Sequence, residues 1–416
     1  MDSDSDSERV SEVKQKSRKP PNTAFRQQRL KAWQPILTPK TVLPLFFAIT
    51  IIFAPLGGVM LWASNNVQDL MIDYSNCLDL ATTNSFTEIP DKYIHYNFEG
   101  GAVPESKPQW KVIKHAKNHT ILSSSINVPV ERTCQIQFEI PTSMGPPVFM
   151  FYRMSNFYQN HRRYVQSFNE LQLNGNAQTG SQLKSADDCK PLITNSDGVP
   201  YYPCGLIANS FFNDTFSTLT RVNTTTSTTS NANSSATYNM TENGIAWSTD
   251  RDRFKTTKYN ASQVVPPPNW VNLFPNGYTD DNLPDIAQWE SFQNWMRTAG
   301  LPTFSKLARR NDDSVLLPGV YSVDIGFNFP VLIYDGTKSL VITTRSVLGG
   351  RNPFLGVAYL VVAGLCLALG LLFLIKHVVK PRKMGDHTYL SWNNNGTQES
   401  TATATGRASS ESVRQR

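Results

Sequence analysis

The sequence predicts a membrane protein with two transmembrane helices and a large luminal or extracellular ectodomain. That ectodomain is expected to be antiparallel, β-rich and sandwich-like, with a few helices, disulfide bonds and N-linked glycans. Three observations lead there: an uncharged apolar run near each end of the 416 residues, four of the five cysteines between those runs, and six Asn-x-Ser/Thr sequons in the same stretch. A content of 40% apolar and 17% charged residues suits a chain that buries a sizeable core.

The first run is Val42–Trp62 and the second Phe354–Ile375. At the helical rise, about 20 residues cross a hydrocarbon core of about 30 Å. A cleaved signal peptide does not fit the first run, which is too long, starts too far along the chain and is followed by no Ala-x-Ala site. Arg26, Arg29, Lys31 and Lys40 precede the first run and Lys376, Lys380, Arg382 and Lys383 follow the second, whereas Asp69 and Asp73 lie just past the first. Excess Lys and Arg mark the cytosolic side, so both tails are expected there. The organisation is therefore a basic cytosolic tail (1–41), a span (42–62), the ectodomain (63–353), a second span (354–375) and a cytosolic C-terminal tail (376–416).

Within the spans, Ala54 with Gly58 and Gly364 with Ala368 have the small-xxx-small spacing that lets helix backbones approach. Pro55 predicts a kink in the first helix. Neither run holds an Asp, Glu, His, Lys or Arg, which argues against an ion path or proton relay through them. Charge is concentrated in the tails: 1–41 holds nine basic and five acidic residues, 376–416 holds seven and three, and 23 against 25 remain between. Without a basic stripe on the folded domain, nucleic-acid binding is excluded as a function class. The Ser/Asp alternation from Asp2 to Glu8 resembles an acidic kinase substrate, whose phosphorylation would weaken a hold of the Lys14–Lys31 stretch on anionic lipid.

In an oxidising compartment Cys77, Cys134, Cys189 and Cys204 give two disulfides in one of three pairings. Cys77 with Cys134 and Cys189 with Cys204 is favoured, because the latter pair closes a short loop containing the turn formers Asp197, Gly198 and Pro200. Cys366 lies in the second span as a free apolar thiol. The sequons stand at Asn118, Asn213, Asn223, Asn233, Asn239 and Asn260, three of them in a Thr/Ser/Asn-rich stretch that reads as an exposed loop. A seventh, Asn395, falls in the C-terminal tail and should stay bare. Apolar or alternating runs at Cys134–Ile140, Val148–Arg153, Val320–Ile325 and Ser339–Thr343 predict antiparallel strands. Trp289, Phe292 and Met296 recur on one helix face until Gly300-Leu301-Pro302.

No segment reads as catalytic, and no metal or other cofactor is expected. His115 and His119 are four apart but lack the glutamate of a zinc-hydrolase motif, and they read as a surface loop. Asp250-Arg251-Asp252 has the acid-x-acid form of metal-dependent sugar transferases, a short and unspecific pattern. No Gly-x-Ser-x-Gly elbow or phosphate loop occurs. The cluster Asn160-His161-Arg162-Arg163-Tyr164 suits either structural hydrogen bonds or an anionic partner or lipid headgroup.

Six segments stand out: PNTAFRQQRLKAWQPILTP (Pro21–Pro39), NFYQNHRRYVQS (Asn156–Ser167), YYPCGLIANSFFNDTF (Tyr201–Phe216), WESFQNWMRTAGLPTFSKL (Trp289–Leu307), NFPV (Asn328–Val331) and GGRNPFLGVAY (Gly349–Tyr359). Together they resemble one family, the cell division control protein 50 / ligand-effect modulator family of lipid-flippase accessory β-subunits, in its fungal form. The resemblance runs from about Pro21 to Lys380 and implies a non-catalytic partner of a type IV P-type ATPase that moves phospholipid toward the cytosolic leaflet. Such a subunit is needed for folding, export from the endoplasmic reticulum and activity, so residence along the secretory or endocytic pathway is implied. The resemblance matches Cys189 with Cys204 and Cys77 with Cys134 to the family's pairs, and Asn213 to its glycosylated Asn-Asp-Thr. As partner contacts it suggests Arg26, Arg29, Trp33, His161, Arg162 and Arg163, with anionic lipid a further contact of the tails. Two alternatives stand beside it: a two-pass ligand-gated channel subunit, which shares cytosolic ends, glycans and a disulfide-bonded ectodomain, and a Golgi glycosyltransferase, suggested by Asp250-Arg251-Asp252 and the compartment.

Overall fold

The structure, a computed structural model, describes residues 22–31, 38–114, 119–121, 126–128, 131–222, 237–346 and 349–381. Outside them lie the Ser/Asp run, Trp33, His115, most of the Thr/Ser/Asn-rich stretch and the sequons at Asn118, Asn223, Asn233 and Asn395. The chain divides into two units, 1–54 with 360–416, and 55–359.

Two helices, Pro39–Asn65 and Phe354–Val379, are long and apolar enough to cross a membrane. The first continues through Pro55 without a break in its helical assignment. In the first unit the helices touch where the rings of Phe46 and Phe373 lie 5.9 Å apart and the Thr50 hydroxyl donates to the carbonyls of Phe46 and Ala363. In the second unit the backbones themselves meet at Gly356: a Cβ there would stand 2.8 Å from Leu61 N and 3.1 Å from Gly57 O. Gly58 and Gly364 both face open space, so these two small-xxx-small glycines do not pack the two helices on each other and are left open to a partner. Spacing alone cannot tell which of several neighbouring small residues turns inward.

This gives a differential test. Gly356→Val should lower the melting temperature of the purified protein in mild detergent, by overpacking worth about 1–3 kcal/mol. Gly58→Val should leave it within error. Equal melting of both variants would remove Gly356 as the point of closest approach.

Among its described residues the domain between the helices holds fourteen strands: β1 (Asp69–Asp73), β2 (Thr87–Glu88), β3 (Ile94–Asn97), β4 (Gln109–Ile113), β5 (His119–Ile121), β6 (Ile126–Val128) and β7 (Thr133–Ile140), then β8 (Val148–Met154), β9 (Thr215–Phe216), β10 (Leu219–Arg221), β11 (Thr237–Tyr238), β12 (Phe304–Asn311), β13 (Gly319–Gly326) and β14 (Lys338–Thr343). One sheet runs β12-β8-β14-β1-β3 and the other β11-β10-β13-β7-β4-β2, with β9 also on β13 and β5 pairing β6 separately. Every pairing between these strands is antiparallel. His119 thus opens a short strand within the stretch read as a surface loop.

Alternation explains which face turns inward. In β7 Cys134, Ile136, Phe138 and Ile140 are buried, and in β8 Val148, Met150, Tyr152 and Met154. These side chains share one hydrophobic cluster with Leu70, Ile72, Leu340 and Ile342 of the first sheet and Trp110, Val323 and Ile325 of the second, so the two sheets enclose a common core. The Cys77–Cys134 disulfide crosses it, from the chain just after β1 to the middle of the second sheet, with both cysteines fully buried. The four strands expected from alternation are β7, β8, β13 and β14. The helix expected from Trp289 onward is only Glu290–Met296, with Trp289 at its N-cap and Trp289, Phe292 and Trp295 buried.

Candidate functional site

The aromatic-rich segments quoted above fold into one another. Phe157 has the rings of Trp295, Phe304, Phe329 and Tyr334 within 5.7–6.3 Å. Phe212 stacks on Tyr152 at 4.0 Å and lies 5.2 Å from Phe329 and 6.4 Å from Trp295. The indole N–H of Trp295 donates to Ile207 O and that of Trp270 to Ala208 O, both at 2.8 Å, which satisfies donors that burial would otherwise strand. These residues are a packing core, and their aromatic character follows from that.

At one side of this core sits a buried ion pair. Asp214, inside the Asn213-Asp214-Thr215 sequon, faces Lys338 Nζ at 2.6 Å, with both side chains fully enclosed. Its Oδ1 accepts from the backbone N–H groups of Asn328 (2.7 Å) and Phe329 (2.6 Å), and its Oδ2 from the Tyr74 hydroxyl (3.0 Å). Lys338 donates also to Phe329 O at 2.7 Å and stands 3.4 Å from the centre of the Phe327 ring. Burial pulls the Lys338 ammonium below its ordinary range, against Asp214, which pulls it up. Burial, then the neighbouring carboxylate, pushes the Tyr74 phenol far up. One carboxylate thereby ties the sequon loop, the Asn328–Val331 turn, the start of β14 and the end of β1 together.

Two more cations point inward from β12. Arg309 pairs with Glu242 at 3.1 Å, both side chains at most 10% exposed. Lys306 Nζ donates to the carbonyls of Asn294 (2.7 Å), Trp295 and Arg297, capping the C-terminal end of the 290–296 helix. Burial draws the Lys306 ammonium down to about 7 from 10.5. The folded chain therefore binds fewer protons than the unfolded one between those pH values, and stability rises with pH across that window. Lys306→Met should flatten the rise. Melting curves of the full-length protein at pH of about 7, 8 and 9 measure it, and parallel slopes for the two proteins would refute it.

The second disulfide, Cys189–Cys204, belongs to a satellite cluster with Leu183 and Ile193. Next to it Gly205 has φ +99°, and a Cβ there would overlap the Ser167 carbonyl, so the chain needs glycine at this position. Asp250 is held by Arg297 at 2.8 Å and Arg251 by Glu290 at 3.4 Å, a structural use of the acid-x-acid stretch. Among the described residues no group of three or more His, Cys, Asp and Glu is placed to hold a metal.

Of the suggested contact residues, His161, Arg162 and Arg163 lie together and exposed at the start of a short helix, and no carboxylate among the described residues comes within 4.0 Å of them. Their neighbour Tyr164 turns inward, 6.0 Å from Phe157, with its hydroxyl 2.8 Å from that of Ser210. The cluster thus divides: Tyr164 anchors, while His161 and the two arginines face out. Arg26 and Arg29 are exposed in a turn of the other unit, where Arg29 donates to Asn22. Asn239 and Asn260 are exposed, while Asn213 is half-buried beside a buried Thr215.

A family model described as the LEM3 (ligand-effect modulator 3) family / CDC50 family matches residues 60–383. The chain belongs to that family. Among its similar relatives is the phospholipid-transporting ATPase accessory subunit CRF1 of Saccharomyces cerevisiae, 47% identical over 384 residues, covering 92% of this chain and 91% of that protein. The phospholipid-transporting ATPase accessory subunit CDC50 of Chaetomium thermophilum is 41% identical over 381 residues, 90% and 91% of the two chains. Cell cycle control protein 50A of Bos taurus is 38% identical over 381 residues, 86% and 89%. The family resemblance read from the sequence therefore holds over nearly the whole chain.

Proposed function

We propose that this chain is the non-catalytic accessory subunit of a phospholipid-transporting P-type ATPase, required for folding, export and activity of that enzyme. The observation that carries the reading is the identity to named accessory subunits of such ATPases over about nine-tenths of both chains. The fold agrees with it: buried charge and aromatic density hold a rigid scaffold, and the exposed side chains of His161, Arg162 and Arg163 are left for a partner. In this reading both tails are cytosolic and residues 63–353 face the lumen or exterior, with glycans on the sequons. Contacts through the ectodomain, the spans and the Arg26–Arg29 turn would add as linked weak sites, giving avidity without one large patch.

Affinity purification of the full-length chain in mild detergent, with mass spectrometry of whatever accompanies it, tests the proposal. A stoichiometric P-type ATPase is the expected result. Recovery of the chain as a homotrimer with ion conductance in bilayers would overturn it.

A further inference from the structure

The outer face of the first sheet carries a feature that the accessory role does not use. Pairing places Asn97, Asp69, Thr343, Phe149 and Arg310 side by side in a single row across β3, β1, β14, β8 and β12. This row is the one nearest the helix ends: Asp69 comes four residues after Asn65, and Thr343 eleven before Phe354. Side chains fix it there. Asn97 donates to the carbonyls of Asn65 and Val67, and the Ser64 hydroxyl accepts from Asn352 N. Three strand spacings, roughly 14 Å, separate Asp69 from Arg310.

On that row opens a cavity of about 640 Å³. Phe149, Phe151 and Leu307 form part of its lining on the sheet, Trp247 is 64% exposed at its wall, and its basic residues are Arg251, Arg310 and Arg345 with Lys306, whose ammonium is taken up by the helix-end carbonyls. No Asp or Glu is among its lining residues. Arg310 and Arg345 each hold their guanidinium carbon 5.5 Å from the centre of the Phe149 ring; Arg310 is fixed there by its hydrogen bonds to Asp312 and to Gly244 O, which leaves Arg345 as the guanidinium available to a ligand. Arg251 and Arg310 are each engaged by one carboxylate from outside the lining, Glu290 and Asp312. Arg345 is exposed, and no carboxylate among the described residues lies within 4.0 Å of it.

We infer that this cavity binds the phosphate of an anionic phospholipid from the leaflet that faces the ectodomain. The inference requires that the two helices cross a bilayer and does not depend on the ATPase. Three properties select lipid over other anions. The cavity lies in the sheet row tied to the ends of the spans; its floor is apolar and aromatic beneath the cations, matching a headgroup with attached glycerol ester; and an exposed tryptophan stands at its wall, as is common at membrane interfaces. Arginine supplies the fork that suits phosphate oxygens.

The test titrates the purified full-length chain with dihexanoyl phosphatidic acid, dihexanoyl phosphatidylcholine and sodium phosphate, counting bound molecules by native mass spectrometry. Phosphatidic acid should bind more tightly than phosphatidylcholine, and Arg345→Gln should weaken it about tenfold, the loss of one charge-assisted contact. Trp247→Ala should weaken it as well. Arg153→Gln, on the same outer face but at the far end of β8, is the control and should bind as the parent does. Arg345 makes no ion pair in the fold, and a thermal melt verifies that its variant is folded. Sodium phosphate binding as tightly as the lipid, equal binding of both lipids, or insensitivity to Arg345→Gln would each overturn the inference. So would an acidic peptide that binds through Arg345 when phosphatidic acid does not, which would give the cavity to a protein loop instead.

Discussion

An Asp214→Asn protein is expected to lose about 3–5 kcal/mol of ectodomain stability. The sequon survives this change, because its middle position accepts any residue but proline, so glycosylation and folding are separated in one variant. The loss has a physical ceiling. With its partner gone Lys338, fully buried, can release its proton; neutralising a lysine at pH 7 costs about 1.4 kcal/mol for each of roughly 3.4 pH units, near 5 kcal/mol. The asparagine oxygen can still accept from Asn328 and Phe329, so those donors remain satisfied. Adding Lys338→Met removes the stranded charge and should restore more than half of the loss. Urea unfolding followed by tryptophan fluorescence measures all three proteins. A double variant no more stable than Asp214→Asn alone would show that the pair is not what the charge is buried for.

The second large effect concerns the disulfides. Cys77 and Cys134 are 57 residues apart and Cys189 and Cys204 are 15 apart. Chain entropy then ranks their removal at about 4 and about 3 kcal/mol. Packing widens the difference, because Cys77–Cys134 joins the two sheets through the shared core whereas Cys189–Cys204 closes a satellite cluster. Cys77→Ala with Cys134→Ala should therefore be the less stable double variant and the more strongly retained in the endoplasmic reticulum. Equal yields of both at the cell surface or Golgi would contradict this order.

Much of the fold was legible because its strands alternate. β7, β8, β13 and β14 each place apolar or small residues on one side, and all four could be read within a residue or two of their ends. β12 was missed for a physical reason: its inward positions include Lys306 and Arg309, so burial there does not look apolar. Those cations are tolerated only because Glu242 and the helix-end carbonyls meet them, and such partners lie far away in sequence or in a turn that sequence does not orient. The same holds for Asp214 and Lys338, 124 residues apart by subtraction of their numbers. Nothing in either local sequence announces the pair, although Asp214 lies within the Asn-Asp-Thr motif. The helix contact shows the converse limit, since Gly356 and not Gly58 is the point of approach.

The central claim is that this ectodomain and its two spans exist to support a lipid-moving ATPase. ATP-dependent movement of a fluorescent phospholipid across vesicles tests it most directly, using the co-purified ATPase with this chain, without it, and with the Asp214→Asn form. The account predicts transport with the intact chain, little or none without it, and a loss in the variant that tracks its loss of folded protein. Equal transport by the ATPase alone would contradict it.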